Sequence, residues 1–222
     1  MHYSTIARQP FLALLFFALC ASIPLAAQDK RDGAARYQAL RRELIEMGNE
    51  DQKHRNELVA LMWQLSKPDN KPAFAKYVVL TKKQDAIDKK NLKRLEEIIE
   101  RYGWPTKSMV GAEASENVFL IIQHADLTRQ KKYFPLLKAA VAKNEARPDH
   151  AAMMEDRILM GEGKKQIYGT GLHTNDVNKA LELWPIENEE EVDARRAAVG
   201  LPPMEEFLKA VGLKYTPPQK NN

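Results

Sequence analysis

Apolar residues recur at alternating steps of three and four along two long segments, and this spacing is the strongest constraint on the fold. In the first segment, roughly 34–66, the stripe contains Tyr37, Leu40, Leu44, Met47, Leu58, Leu61 and Leu65. In the second, about 73–102, it contains Phe74, Tyr77, Leu80, Leu92, Leu95, Ile98 and Tyr102. Each helix must bury its stripe against a partner. Because a turn at 67–70 separates the segments, they predict a long antiparallel helix hairpin.

The rest of the chain predicts shorter helices and one small β-hairpin. Helices are expected at about 113–125, 128–145 with a restart at Pro135, 148–160, 189–199 and 204–211, and the stretch 103–111 is expected to be a loop. The stretches 166–172 and 180–184 look extended, with turn-forming residues between them. The predicted fold class is mainly α, a single helical domain over 28–213 with a β-hairpin near the C-terminal third. Residues 214–222 are predicted to be a flexible tail.

A polar gap interrupts both apolar stripes. Asp51 and His54 lie on the stripe of the first helix, and Gln84, Asp85, Asp88 and Asn91 fill the gap in the second. If facing positions of the hairpin sum to about 139, Asp51 lies opposite Asp88 and His54 opposite Asp85. Burying unpaired charge costs several kcal/mol, so such a layer must be paired, hydrated or bound to a ligand. Three interpretations stay open: a solvent-facing section, a network that fixes helix register, and a ligand or catalytic site between helices.

The first 27 residues have the three-part pattern of a secretory signal peptide. Arg8 lies in a short polar start, an apolar run follows over 11–19, and small residues precede a polar stretch after Ala27. A spanning helix needs about 20 apolar residues, more than this run offers. We therefore expect cleavage near Ala27, a secreted or periplasmic bacterial protein, and no stable membrane span after cleavage.

Composition excludes several classes of function. The only cysteine of the 222 residues is Cys20, so the mature chain is cysteine-free and has neither disulfides nor thiol catalysis. A net charge of +4, from 34 basic and 30 acidic residues, gives no reason to expect nucleic acid as a partner. The motifs G-x-S-x-G, H-E-x-x-H and C-x-x-C are absent. No cofactor and no metal site is predicted.

Two further segments carry candidate chemistry. His124 follows a buried helix and precedes Asp126 by two residues, so it is a candidate acid–base group or a residue that caps carbonyls. Asp156 and Arg157 interrupt an apolar helix, which indicates an internal salt bridge or, less favoured, an arginine that holds an anion.

A third segment offers hydrogen-bonding side chains. Gln166, Tyr168 and Thr170 alternate with other residues and would share one face of a strand. That face would suit a polar ligand, and it would equally suit the solvated side of a hairpin.

Taken together, these residues resemble an uncharacterised bacterial family, the domain of unknown function numbered 6624, over about 40–212. The motifs that carry the resemblance are Asp51-Gln52 with Arg55, Gly103-Trp104-Pro105, Gln123-His124-Ala125-Asp126, Asp156-Arg157, Gln166-x-Tyr168-Gly169-Thr170 and Val192-Asp193-x-Arg195-Arg196 before Gly200-Leu201-Pro202-Pro203. The family carries no activity to transfer. The resemblance implies that the regions around Asp51, His124, Asp156 and Tyr168 are parts of one family-wide arrangement.

The leading hypothesis is an exported helical protein with a polar pocket between its helices. As an enzyme it would be a hydrolase in which His124 works with a carboxylate, and the catalytic candidates are His124, Asp51 and Asp156. The ligand-binding candidates are Asp88, Asn91, Gln123, Arg157, Gln166, Tyr168 and Thr170.

The alternative is a non-catalytic envelope protein that binds a small polar ligand or a protein partner. It would show an exposed apolar patch near Trp104 and Trp184. Convergence of Asp51, His124 and Tyr168 on one cavity would favour the enzyme.

Overall fold

The structure, a computed structural model, describes the backbone of residues 25–65, 71–175 and 181–217. The predicted turn at 67–70 lies outside these ranges, and so do most of the predicted signal peptide and most of the β-hairpin turn. The described residues from 36 onward form one compact unit, and residues 25–35 before it are helix. Within the described ranges, no helix combines the length and the apolar character needed to cross a bilayer.

The antiparallel helix hairpin is confirmed, but its first arm is not the single helix predicted over 34–66. That arm consists of α1 (Leu25–Gln52) and α2 (Arg55–Leu65), and the second arm is α3 (Lys71–Tyr102). After the break, helical bonding resumes when Leu58 N–H donates to the carbonyl of His54 at 2.9 Å. A carbonyl in the last turn of a helix has no backbone N–H partner within that helix. At the end of α1 the carbonyl of Asp51 accepts a hydrogen bond from Gln84 Nε2 of α3 at 2.8 Å instead. The apolar stripe and the helix are thus interrupted at the same place.

Four helices follow the hairpin: α4 (Lys107–Val110), α5 (Ala112–Gln123), α6 (Leu127–Ala142) and α7 (Pro148–Gly161). The short α4 lies in the stretch predicted as a loop. Pro135 lies inside α6 and does not restart it. Pro135 cannot donate to the carbonyl of Lys131, and both residues are exposed, so solvent reaches that carbonyl and the helix continues.

The main core joins α1 and α3 to α5, α6 and α7. Its most deeply buried members include Leu44, Leu95, Ile98, Val110, Val118, Phe119, Ile122, Leu137 and Met154. A smaller cluster of Leu61, Ala73 and Leu80 closes the other end of the hairpin between α2 and α3. The polar gap lies between these two apolar clusters. Trp104 is 6% exposed and belongs to the main core, so the apolar patch sought around it is not on the surface.

The C-terminal part contains the small β-hairpin, although its strands are shorter than predicted. Strands β1 (Leu172–Thr174) and β2 (Leu181–Leu183) are antiparallel, with Leu172 opposite Leu183. A 3₁₀ turn at Glu189–Glu191 leads into α8 (Val192–Ala198), and α9 (Met204–Ala210) follows. Ile186, Val192, Met204 and Leu208 form a separate core, against which Tyr215, in the predicted tail, is partly buried.

Candidate functional site

A cluster of polar side chains joins α1, α2, α3 and α5 in the gap between the apolar clusters. We call it the polar layer, and its members are Asp51, Arg55, Gln84, Asp88 and His124. Asp51 is 1% exposed, so the solvent-facing interpretation is wrong for this residue. Arg55 Nη2 lies 3.0 Å from Asp51 Oδ1 and 2.8 Å from Asp88 Oδ1, so one guanidinium bridges the two carboxylates.

Two amides of α3 complete the contacts across the hairpin. Gln84 Nε2 donates to Asp88 Oδ1 at 2.7 Å as well as to the carbonyl of Asp51. Asn91 Nδ2 donates to the carbonyl of Met47 at 2.9 Å. The side-chain oxygens of Gln84 and Asn91 are buried without a hydrogen-bond partner. The two gaps therefore meet at one level, with Asp51 facing Asp88 through Arg55.

His54 does not join the polar layer. It lies in the break between α1 and α2, and within the described residues no hydrogen bond or ion pair links it to Asp85. The placement of His54 opposite Asp85 therefore stays a prediction, and the contacts across this level of the hairpin are made by Asp51.

His124 connects the polar layer to α5. It is the C-cap residue of α5, and its Nδ1 lies 3.2 Å from Oδ1 and 3.1 Å from Oδ2 of Asp51. His124 is 19% exposed, so it reaches the surface, whereas Asp51 does not. Asp126, two residues after His124, is not its partner: Asp126 caps α6 through Arg129 N–H at 3.0 Å and pairs with the Arg129 guanidinium at 2.8 Å. The partner of His124 is therefore Asp51.

The electrostatics keep Asp51 ionised. Burial by itself would raise the pKa of Asp51, but the hydrogen bonds from His124 and Arg55 outweigh burial, and the pKa lies below its usual value. An ionised carboxylate only accepts hydrogen bonds, so His124 Nδ1 must carry the proton. In the neutral ring, Nε2 then holds the lone pair. This is the arrangement of a general base oriented by a buried carboxylate.

A cleft of about 220 Å³ opens beside His124. Its walls are formed by Asp85, Asp88, Lys89, Leu92, Ile121, His124, Ala125 and Asp126. Because Nδ1 is held by Asp51, Nε2 is the ring nitrogen left for a molecule in the cleft. We call it the His124 cleft.

Arg55 belongs to the polar layer, although the candidate site residues predicted from the sequence do not include it. The available signal was its position four residues after Asp51, together with the excess of carboxylates at that level of the hairpin. Burial tends to lower the pKa of Arg55, but the hydrogen bond and charge of Asp51 and the charge of Asp88 raise it above its ordinary value.

Asp156 lies apart from the polar layer and holds a loop. It is fully buried, and its carboxylate accepts the N–H groups of Ile167 at 2.7 Å, Tyr168 at 3.0 Å and Thr170 at 2.9 Å. The Thr170 hydroxyl also donates to it at 2.9 Å. Asp156 therefore positions the loop, and it does not line the His124 cleft.

The carbonyls of the same loop bind two arginines of α8. Arg195 Nε donates to the carbonyl of Ile167 at 2.9 Å, and Arg196 Nη1 donates to that of Tyr168 at 2.7 Å. Gly169, with φ +66°, has no space for a side chain because a Cβ would lie 2.7 Å from Met204 Sδ. The motifs from Asp156 to Arg196 thus meet at one loop, residues 166–171, which we call the clamped loop.

Other predicted ligand-binding residues serve the same part of the fold. Gln166 is fully buried, and its side chain bonds the backbone of Gly171 and Trp184. Residues 166–171 are not a strand, so the shared face expected for Gln166, Tyr168 and Thr170 is wrong. Burial beside the charges of Glu155 and Asp156 raises the pKa of Tyr168, which does not line the His124 cleft.

The predicted Asp156–Arg157 salt bridge is wrong, since Asp156 turns to the loop and Arg157 is exposed. Gln123, just before His124, is 8% exposed, and its carbonyl accepts a hydrogen bond from Gln130 Nε2 at 3.0 Å. Of the three residues expected to converge, Asp51 and His124 meet and Tyr168 lies elsewhere.

No group of three or more His, Cys, Asp or Glu side chains suited to a metal ion occurs in the described residues. No curated protein and no solved structure matches the chain. Residues 38–216, however, match the family described as "Family of unknown function (DUF6624)". That span covers most of the hairpin, the polar layer and the clamped loop. The chain is therefore a member of the DUF6624 family.

Proposed function

We propose that this protein is an exported hydrolase in which His124 acts as general acid–base and Asp51 as its orienting carboxylate. One observation carries the proposal: the contact at 3.1–3.2 Å between His124 Nδ1 and the buried carboxylate of Asp51, at the edge of a cleft. A carboxylate buried in this way fixes the ring orientation and the tautomer, as a general base requires.

The chemistry follows from the proton positions. Nε2 takes a proton from a water molecule as the water oxygen forms a bond to the electrophilic centre of the substrate. The imidazolium that results is stabilised by the negative charge of Asp51. When the bond to the leaving group breaks, Nε2 returns the proton to it, so the ring ends neutral.

Arg55 supports the base from the other side of Asp51. Its bonds to Asp51 and Asp88 tie α2 and α3 to the carboxylate, so the Asp51 side chain has one orientation. Arg55 acts through Asp51 and is a positioning residue. Its replacement by Lys would keep the charge but lose the two-pronged contact.

Export is part of the proposal and rests on the signal-peptide pattern of residues 1–27. In a Gram-negative host the protein should accumulate in the periplasm. Intact mass should show that the chain begins at Gln28. A full-length protein in the cytoplasm would contradict export without affecting the chemistry of His124.

The hydrolase is tested with p-nitrophenyl esters, phosphates and glycosides. We expect one class to be turned over by the wild type and His124→Gln to lower kcat/KM at least about 100-fold, the lower end for loss of a general base. His173→Gln is the matched control, because His173 is a partly exposed histidine of β1 that does not line the cleft. Because His124 is partly exposed, His124→Gln should cost no more than about 1 kcal/mol of stability.

Two results would contradict the proposal. Equal turnover by the wild type and His124→Gln would show that the base lies elsewhere. No turnover of any class would favour the second candidate function, a non-catalytic envelope protein that binds a small ligand. The observation that favours this candidate is a second cleft, around Arg157.

A further inference from the structure

A second cleft, of about 340 Å³, opens between α7 and the β-hairpin. It is lined by Met153, Arg157, Met160, Gly161, Thr170, Gly171, Leu172 and Trp184, none of which lines the His124 cleft. We call it the Arg157 cleft. Its volume is in the range of small-molecule sites, and four large apolar side chains contribute to its walls.

The walls of this cleft are held in place by other contacts. Trp184 Nε1 donates to the carbonyl of Lys164 at 2.7 Å, and the indole meets the ring of His173 edge-on at 5.1 Å. Because Gly171 has no side chain, the thioether of Met160 occupies the space that a Cβ would fill. The clamped loop positions Thr170 and Gly171 through Asp156 and Gln166. The walls of the cleft are thus positioned by contacts within the chain.

Arg157 is the cation of this cleft, and its charge is not neutralised. Arg55, Arg94 and Arg147 all lie within ion-pair distance of carboxylates, whereas no described carboxylate is that close to Arg157. Although Arg157 is exposed in part, the protein around the rest of the side chain desolvates it, and this desolvation together with repulsion from Arg55 lowers the pKa of Arg157. Uncompensated positive charge beside an apolar wall favours an anion that has an apolar part.

We propose that the Arg157 cleft binds an amphipathic monoanion, a carboxylate with a short aliphatic chain. A guanidinium presents a planar fork that matches one carboxylate, so a single arginine selects a single negative charge. The chain lies against Met153, Met160, Leu172 and Trp184, where its burial contributes hydrophobic free energy. Thr170 is a wall only, because its hydroxyl already donates to Asp156.

Octanoate tests this proposal by isothermal titration calorimetry, with octanol and octylammonium as the neutral and cationic comparators. The wild type should bind octanoate more tightly than either comparator. Arg157→Gln should weaken octanoate roughly 10- to 100-fold, the effect of losing a charge-assisted pair, and should leave octanol unchanged. Arg157→Glu should reverse the order, so that octylammonium binds most tightly. Both variants should fold, since Arg157 is exposed and unpaired in the described structure.

Two control variants separate the possible explanations. Lys165→Gln removes an exposed cation close in sequence that does not line the cleft, and octanoate affinity should stay unchanged. His124→Gln should also bind octanoate normally, so failure of the hydrolase proposal would leave this one standing. Absent octanoate binding, octanol binding as tight as octanoate, or Arg157→Gln binding like the wild type would each overturn the proposal.

Discussion

Replacing Asp51 by Asn changes the charge of the polar layer and almost nothing of its shape. The carboxylate accepts hydrogen bonds from Gln52 Nε2, from Arg55 Nε and Nη2, and from His124 Nδ1. An asparagine offers one oxygen and one NH₂ group, so at least one of these donors would face another donor. Burial leaves no water to compensate, because Asp51 is 1% exposed.

The size of the effect follows from the burial of the ion pair. Removing one partner of a buried pair costs about 3–5 kcal/mol. Arg55 keeps Asp88 and is itself 21% exposed, so the lower end, about 3 kcal/mol, applies here. For a domain of this size, this loss lowers Tm by about 6–12 °C.

Glu50→Gln is the matched control for this substitution. Glu50 precedes Asp51 and also pairs across the hairpin, with Lys90 at 2.9 Å, but the two side chains are 35% and 70% exposed. Exposed pairs contribute less than about 1 kcal/mol. Urea unfolding followed by circular dichroism at neutral pH should therefore separate the two variants clearly. If Asp51→Asn is as stable as Glu50→Gln, the polar layer is not a coupled network and the assigned role of Arg55 is refuted.

Three further predictions concern acid, the clamped loop and one glycine. Because the pKa of Asp51 is lowered in the folded protein, its contribution to the free energy of unfolding is present above its unfolded pKa of about 3.9 and is lost as the pH falls through the folded pKa. Below pH 4 the urea midpoint should therefore fall more in the wild type than in Asp51→Asn, and equal falls would contradict this. Asp156→Asn should cost about 3 kcal/mol and speed hydrogen exchange at the amides of Tyr168 and Thr170, whereas unchanged protection would contradict the clamp. Gly169→Ala should cost about 2 kcal/mol or more in urea unfolding, because φ is +66° and Met204 fills the space, and a neutral result would contradict the packing of the loop.

The helix hairpin and its register could be predicted because they depend on a repeating pattern. A stripe with a spacing of three and four residues fixes which face each helix buries, and the connection fixes which positions face each other. Asp51 and Asp88 therefore meet as expected, although Arg55 lies between them. The break after Gln52 could not be predicted in this way, because no glycine or proline lies at the break.

The partners of the site residues could not be predicted, because they depend on contacts far apart in sequence. His124 and Asp51 are 73 residues apart and meet only because α5 packs against the hairpin. Asp156 was expected to pair with its neighbour Arg157, but a buried carboxylate that accepts three backbone N–H groups needs no cation. The loop that supplies them is held by Arg195 and Arg196, whose roles required the position of α8.

The tautomer of His124 tests the central claim most directly. In a ¹⁵N–¹H correlation spectrum of the histidine rings in their neutral form, we predict a proton on Nδ1 of His124 and none on Nε2. In Asp51→Asn, with the same ring in the same place, this preference should be lost. A wild-type ring protonated on Nε2 would contradict the account, because Asp51 would then not orient His124 as a base.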